Sequence, residues 1–475
     1  MTPELVVGIV VVAFLALLVL ETPVAFALAG SGLLGIALLD GASRGTSWLG
    51  STPFSAVSSY NLAVIPLYIL LGMLALYGGL AEKTYALASR ALRWIPGGMG
   101  IATVAACSGF AAVSGSSVAT AASIGKISVT EMRRHGYRVS FAAGIVAVGG
   151  TLGILIPPSV ALVMYGVVSG ESIGQLLAAG VVPGVLSAVV YCLFIALASR
   201  RYVVHPGVEL SAELSRVGGG SPTGTVIDPV SGADTTGTDL SGSAGTGDRD
   251  APSVFARVRP ALWLGIIFLA IFLGIFTGLL TVIESAAVGA LVAVVMLAVE
   301  NRHGGIRGVW RRFVSAVQES ASVASMAFML LVGATIFSTF LVLSRVPDRL
   351  AQAIGGLAVP PLIVLCVILL ALLVLGTVLE TLSLILVAVP LVYPIVIELG
   401  YDGVWFGILF VMMVEIGLIT PPVGMNVFVV SSSAGVPVET VFRGILPFLV
   451  PAIALVALVV TFPQIALWLP SLAVE

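Results

Sequence analysis

Two short runs carry the chemistry this chain offers. They are Ser114-Gly115-Ser116-Ser117 and Gly153-Ile-Leu-Ile-Pro157-Pro158-Ser159. Both sit inside long apolar stretches. At membrane depth, broken backbone and hydroxyl groups are costly unless they line a cavity or bind something. Small residues also let transmembrane helices approach each other. Here, however, Ser114–Ser117 divides an apolar segment into two arms too short to cross, which favours a binding tip. At such a tip, carbonyls, hydroxyls and half-helix ends hold Na⁺ or a carboxylate. Each proline of the second run removes an amide donor and frees a carbonyl upstream, and Thr151 lies beside it. A partial copy returns as Gly417-Leu-Ile-Thr-Pro421-Pro422-Val423, with Thr420, Asn426 and Ser431 nearby.

The elements that must position these runs are membrane spans. Of 475 residues, 59% are hydrophobic and only 9% charged, against about a quarter charged in soluble domains. Continuous rather than alternating apolar segments exclude a β-barrel. The expected fold is an all-α polytopic membrane protein in a lipid bilayer. A net charge of -2 implies no nucleic-acid partner. The run Leu5–Leu20 has no basic leader and reads as a retained span.

The order along the chain predicts residues 1–58 as N-terminal scaffold helices, with a polar connection over 41–58. Repeat 1 covers 59–199, with a surface helix over 81–96, a re-entrant hairpin over 97–127 and a broken helix over 141–170. The break is expected at both Gly149-Gly150-Thr151 and Pro157-Pro158. Residues 200–257, rich in Gly, Ser, Thr and Asp, read as a flexible cytoplasmic linker. Scaffold helices follow over 258–312, with a basic loop from Arg302 to Arg312. Repeat 2 covers 313–475, with a re-entrant hairpin over 358–398, a broken helix over 403–434 and a last span over 444–469.

Basic loops set the orientation. Placing 81–96, 126–138, 200–201, 257–259 and 302–312 in the cytoplasm satisfies every crossing, with Arg345 and Arg349 as outer exceptions. The first hairpin then opens to the cytoplasm and the second to the outside. A shift of Gly153–Pro183 onto Gly417–Pro447 aligns the double prolines, Gly180 with Gly444, and Pro183 with Pro447. The copies run in opposite senses, as inverted-topology repeats do in many secondary transporters.

Other polar groups are few. Glu284 falls at an outer turn. Glu380 lies past the Gly376-Thr377 tip of the second hairpin, and Glu415 precedes the second break; both are assigned to a cation site or to hairpin structure. Cys107, Cys192 and Cys366 lack metal-ligand spacing and read as packing residues. His135, His205 and His303 sit in loops. No nucleophile–base pair and no phosphate-binding loop appears, so neither enzyme chemistry nor direct ATP coupling is expected.

Several motifs resemble one family. They are Val113-Ser-Gly-Ser-Ser-Val-Ala-Thr120, Gly150-Thr-Leu-Gly-Ile-Leu-Ile-Pro-Pro-Ser159, Ser172-Ile-Gly-Gln-Leu-Leu-Ala-Ala-Gly-Val-Val-Pro-Gly184, Ala63-Val-Ile-Pro-Leu-Tyr-Ile-Leu-Leu-Gly72, Thr281-Val-Ile-Glu-Ser-Ala-Ala287 and Gly417-Leu-Ile-Thr-Pro-Pro-Val-Gly424. They are similar to the large membrane subunit of tripartite ATP-independent periplasmic (TRAP) transporters, the DctM-like family, over nearly the whole chain. The linker is longer, and Glu380 stands where that family often has Asp.

The resemblance implies a Na⁺-coupled importer of an organic acid, such as a C4-dicarboxylate, working as an elevator. It implies Na⁺ as coupling ion and no other cofactor. The implied partners are a small four-helix membrane subunit and an extracytoplasmic solute-binding protein, in a prokaryotic cell (inner) membrane. The implied ion sites comprise Ser114, Gly115, Ser116 and Ser117 with Thr151 and Gly153, and Gly376, Thr377 and Glu380 with Thr420 and Gly424. The expected solute cavity is formed by Ser117, Pro157, Pro158, Thr381, Pro421, Pro422 and Asn426. The rival readings are a standalone sodium:dicarboxylate elevator carrier and a non-transporting scaffold or sensor.

Overall fold

The computed structural model describes residues 2–203, 254–347, 349, 352 and 359–472. The linker expected over 200–257 therefore lies largely outside the described residues. Among those described, no strand forms; Tyr137 and Val203 make an isolated bridge.

The first half contains α1 (Pro3–Val19), α2 (Val24–Asp40), α3 (Ala42–Val57), α4 (Val64–Tyr77), α5 (Leu80–Leu92), α6 (Gly98–Ser114), α7 (Ser117–Arg134), α8 (Val139–Leu155), α9 (Val160–Ser169) and α10 (Ile173–Tyr202). The second contains α11 (Val254–Phe276), α12 (Val282–Glu300), α13 (Gly305–Leu343), α14 (Pro361–Gly376), α15 (Thr381–Glu398), α16 (Gly403–Gly417), α17 (Met425–Ala434), α18 (Val438–Thr461) and α19 (Gln464–Leu467). Among the described residues, seven helices are long and apolar enough to cross a membrane, and α8 with α9 forms a further span bent by 43°. This is an all-α, multi-pass membrane protein.

Four expectations about secondary structure are corrected. Residues 42–57 form helix α3 rather than a loop. Its hydroxyls turn back onto its own carbonyls, as from Thr46 to Ser43 and Ser51 to Ser47. Trp48, Leu49 and Phe54 stay exposed on it, as on a helix lying at a membrane surface. Gly149-Gly150-Thr151 does not break α8. The glycines make room for Cys107 and Ala121, and internal hydrogen bonding keeps the buried backbone helical. Most of the basic segment 302–312 is helical, because α13 begins at Gly305. The last long helix runs over Val438–Thr461 and stops before Pro463, not at 469.

The repeat extends further than the two breaks. The shift of 264 residues that carries Gly153 to Gly417 also carries α7 onto α15, 117 to 381 and 134 to 398. It carries α9 and the start of α10 onto α17 and the start of α18 within one residue. The halves interlock crosswise: α7 packs on α17, and α15 packs on α9.

Glycines allow the closest crossings. A Cβ on Gly32 would meet the Phe337 backbone at 2.9 Å, and one on Gly333 would collide with the Ala25 carbonyl, so α2 and α13 touch backbone to backbone. Gly144 and Gly444 do the same for α8 and α18. Around that second crossing Phe141, Tyr202, Phe194 and Phe448 stack or meet edge to face. Such packing holds helices together where lipid removes the hydrophobic drive.

Ion pairs join elements distant along the chain. Arg349 pairs with Glu4 at 3.5 Å. Lys83 and Arg259 both pair with Glu300 at 2.5 Å, and Trp263 also donates to it at 3.1 Å.

Candidate functional site

The first hairpin turns in two residues. α6 ends at Ser114, Gly115 takes φ +59°, and Ser116 caps α7 by accepting from the Ala119 amide at 3.3 Å. Thr120 closes the turn, donating to the Ser116 carbonyl at 2.7 Å and meeting the Ser114 hydroxyl at 3.0 Å. Only glycine suits position 115: its φ is left-handed, and a Cβ would lie 2.7 Å from the Pro158 carbonyl.

This tip is clasped by the first break. α8 ends at Leu155 and α9 restarts at Val160, with Ser159 as its cap. A Cβ on Gly153 would lie 2.7 Å from the Ser116 carbonyl, and one on Gly72 of α4 would lie 2.8 Å from that of Ser114. Carbonyls of Ser114, Ser116 and Pro158 thus sit against Gly72, Gly153 and Gly115 in turn, along the contact between tip and break. Four helix ends meet there. The C-termini of α6 and α8 present carbonyls suited to a cation, and the N-termini of α7 and α9 present amides suited to an anion.

The second site repeats the plan with other residues. α14 ends at Gly376 and α15 begins after Glu380. Gly376 and Gly417 pack backbone against backbone, a Cβ on Gly417 meeting Gly376 at 2.7 Å. The Gly424 amide donates to the Thr377 carbonyl at 3.2 Å. Thr377 and Thr420 turn their hydroxyls onto their own helices, to Val374 at 2.8 Å and Ile416 at 2.6 Å. Glu380 accepts from Ser383 at 3.1 Å. Both Pro-Pro bonds are cis.

The two breaks differ in access. Pro157 and Pro158 are buried, whereas Pro421 and Pro422 are exposed. Asn426, at the start of α17, is fully buried, yet both polar atoms of its amide lack a partner among the described residues. Its donor and acceptor atoms are both left for a group other than the described residues.

The expected site residues are thus partly assembled. Ser114, Gly115 and Ser116 meet Gly153 and Pro158, and Gly376 and Thr377 meet Gly417 and Gly424. Ser117 is buried at the start of α7 and Thr381 half-buried at the start of α15. Thr151 lies a turn inside α8, bonded to the Val148 carbonyl at 2.7 Å. Glu284 is an exposed helix cap, exchanging bonds with Thr281. Cys107 is buried and Cys366 exposed; neither is in a disulfide.

Three features escaped sequence reasoning. Ser159 caps α9, accepting from Leu162 at 3.2 Å and donating to the Ile154 carbonyl; Pro-Pro-Ser ahead of an apolar run is its signal. Tyr393 donates to Glu171 at 2.5 Å, joining the two halves. A cavity of about 1130 Å³ lies there, lined by Asn61, Glu171, Thr281, Thr335, Ser338 and Tyr393 among others. It is bounded by α4, the α9–α10 turn, α12, α13 and α15, and none of the seven residues expected to form the solute cavity lines it. Elements so distant along the chain leave no local signal.

The arrangement defines a class: a helical membrane protein of two repeats, each pairing a hairpin tip with a broken helix. Residues 11–465 match the family described as tripartite ATP-independent periplasmic transporter, DctM component, and the chain belongs to that family. It is therefore a large permease subunit of a secondary transporter, not an enzyme. The C4-dicarboxylate TRAP transporter large permease protein DctM of Pseudomonas aeruginosa is 32% identical over 88% of both chains. The sialic acid TRAP transporter large permease protein SiaM of Vibrio cholerae is 29% identical over 97% of both. The solved structure of the Alcanivorax borkumensis YdaH transporter shares the fold, with a TM-score of 0.54 at 15% identity over 90% of this chain and 89% of that one.

Proposed function

We propose that this permease imports a small organic acid with Na⁺ as coupling ion. An extracytoplasmic solute-binding protein delivers the solute, and a small four-helix subunit completes the membrane complex. The observation that carries the reading is the paired convergence of hairpin tip and helix break. The carbonyls of Ser114 and Pro158, packed along the contact between tip and break, are hard oxygen ligands that suit Na⁺. The linked backbone of Thr377 and Gly424 forms the counterpart.

A carboxylate fits beside these sites. The unpartnered side-chain amide of Asn426 offers donors at the start of α17, the helix that follows a break whose prolines are accessible. Na⁺ at each tip holds hairpin and break together and so completes the solute site. The tips and breaks then move as a unit against α2, α4 and α13, in the manner of an elevator. Named relatives carry different solutes, a C4-dicarboxylate and sialic acid. A carboxylate is the chemistry those two share, and a C4-dicarboxylate is the first solute to try.

The test is uptake into proteoliposomes holding the complete system. Ser116→Trp and Thr377→Trp are each expected to abolish Na⁺-driven uptake while the purified protein still folds. Unchanged uptake in both sinks the ion-site reading.

A further inference from the structure

Glu415 is the buried acid that the two tips leave without a task. It lies in α16, two residues before that helix ends at Gly417. It is 5% exposed, and its Oε1 has no hydrogen-bond partner among the described residues. An ionised carboxylate in that position has no counter-charge, and membrane proteins keep such groups where an ion or proton passes or binds.

Few groups answer its charge. From α10, Tyr191 is 4% exposed and lies close enough to feel the Glu415 charge. From α8 the backbone amide of Leu155, the last residue of that helix, donates toward the carboxylate. The other elements packed on α16 supply no cation to Glu415. α8 and α19 carry no titratable side chain, and α14 carries only the exposed Cys366. Tyr165 of α9 packs on Gly407, two turns away. Tyr393 and Glu398 of α15 lie toward its outer end, and Glu439 and Arg443 of α18 are exposed.

The repeat sharpens the point. The 264-residue shift places Glu415 on Thr151. Thr151 is satisfied by the Val148 carbonyl. Its counterpart is a carboxylate whose Oε1 has no partner among the described residues, so the two copies differ in charge at one equivalent, buried place ahead of the breaks. Among the described residues no cluster of three or more His, Cys, Asp or Glu side chains stands ready for a divalent metal. A single carboxylate matches a single positive charge.

We propose that Glu415 binds one monovalent cation, H⁺ or Na⁺, in addition to the ions held by the two hairpin tips. The proposal rests on the reading of the chain as a cation-coupled carrier. Neutralising Glu415 lets the region between the breaks move without an exposed charge. Releasing the cation restores that charge and adds one more coupled ion to each cycle.

The experiment uses the complete transporter in proteoliposomes and the variant Glu415→Gln, which keeps the shape and removes the charge. Charge moved per solute, from reversal potentials, is expected to fall by one in the variant, while Na⁺-driven uptake through the tips persists. If the ion is Na⁺, the Na⁺ count per solute falls by one. If it is H⁺, uptake by the unaltered protein responds to an imposed pH gradient at fixed Na⁺, and the variant does not. An unchanged ion count together with an unchanged pH response overturns the proposal. A second measurement needs neither transport nor a variant. Dicyclohexylcarbodiimide labelling of Glu415 in the purified unaltered permease, read by mass spectrometry, is expected to decline as Na⁺ or pH rises. Labelling insensitive to both, or absent throughout, contradicts the proposal even if the carrier reading itself fails.

Discussion

The backbone amide of Gly424 donates to the carbonyl of Thr377 at 3.2 Å, tying the second hairpin tip to the second break. Neither residue needs its side chain for this bond. It depends on Gly424 holding φ +61°, a left-handed conformation that places its amide toward the tip.

Gly424→Ala should therefore weaken the second tip. The left-handed backbone costs an L-residue roughly 1–2 kcal/mol. The new Cβ also meets Val427 at 3.1 Å and Phe442 at 3.2 Å. The expected outcome is about a tenfold rise in the Na⁺ concentration that half-stabilises the purified protein, read from thermal unfolding against Na⁺. An unchanged midpoint would show that this bond does not hold the site.

Gly153→Leu tests the first tip in the same way. The added side chain points at the Ser116 carbonyl, 2.7 Å from the position of its Cβ. Uptake should be lost and the unfolding temperature should fall. Gly265→Ala in α11 is the matched control, because nothing lies within 4 Å of that Cβ. It should leave stability unchanged or raise it by up to about 1 kcal/mol, the helix preference of Ala over Gly.

Asn426→Leu separates solute from ion. The amide is buried and unpartnered, so removing it costs the protein no internal hydrogen bond. The KM for the delivered solute should rise by about tenfold or more, the equivalent of one charge-assisted hydrogen bond. Stabilisation by Na⁺ alone should persist. An unchanged KM would remove Asn426 from the solute site.

Glu300→Ala addresses the frame. The Glu300 side chain is 3% exposed and holds Lys83 and Arg259 at 2.5 Å. Breaking the cluster leaves two partly exposed cations without their partner, and solvent screening limits the cost to about 1–2 kcal/mol. The unfolding temperature should drop well below that of Glu300→Gln, which keeps the contact with Trp263. Equal values for the two variants would mean that the cluster contributes little.

Much of this architecture was readable from residues. Apolar length gave the spans, and Ser114–Ser117 and the double prolines gave the tip and the breaks. The spacing of Gly153 and Gly417 gave the repeat, and the combined motifs identified the family. Other features failed for identifiable reasons. Residues 42–57 look like a loop because their hydroxyls are polar, yet those hydroxyls bond within the helix. Gly149-Gly150 looks like a break, but the missing side chains make room for Cys107 and Ala121 instead. The Tyr393–Glu171 bond and the cavity beside it join segments far apart in the chain, and only tertiary packing brings them together.

The central claim is that tip and break together hold the coupling ion, and solute uptake under an imposed Na⁺ gradient tests it most directly. The measurement compares Na⁺ with K⁺ at equal voltage, in the complete transporter and in its Thr377→Trp variant. The account predicts uptake that requires Na⁺ and disappears in the variant. Equal uptake in Na⁺ and K⁺, or full Na⁺-driven uptake by Thr377→Trp, would contradict it.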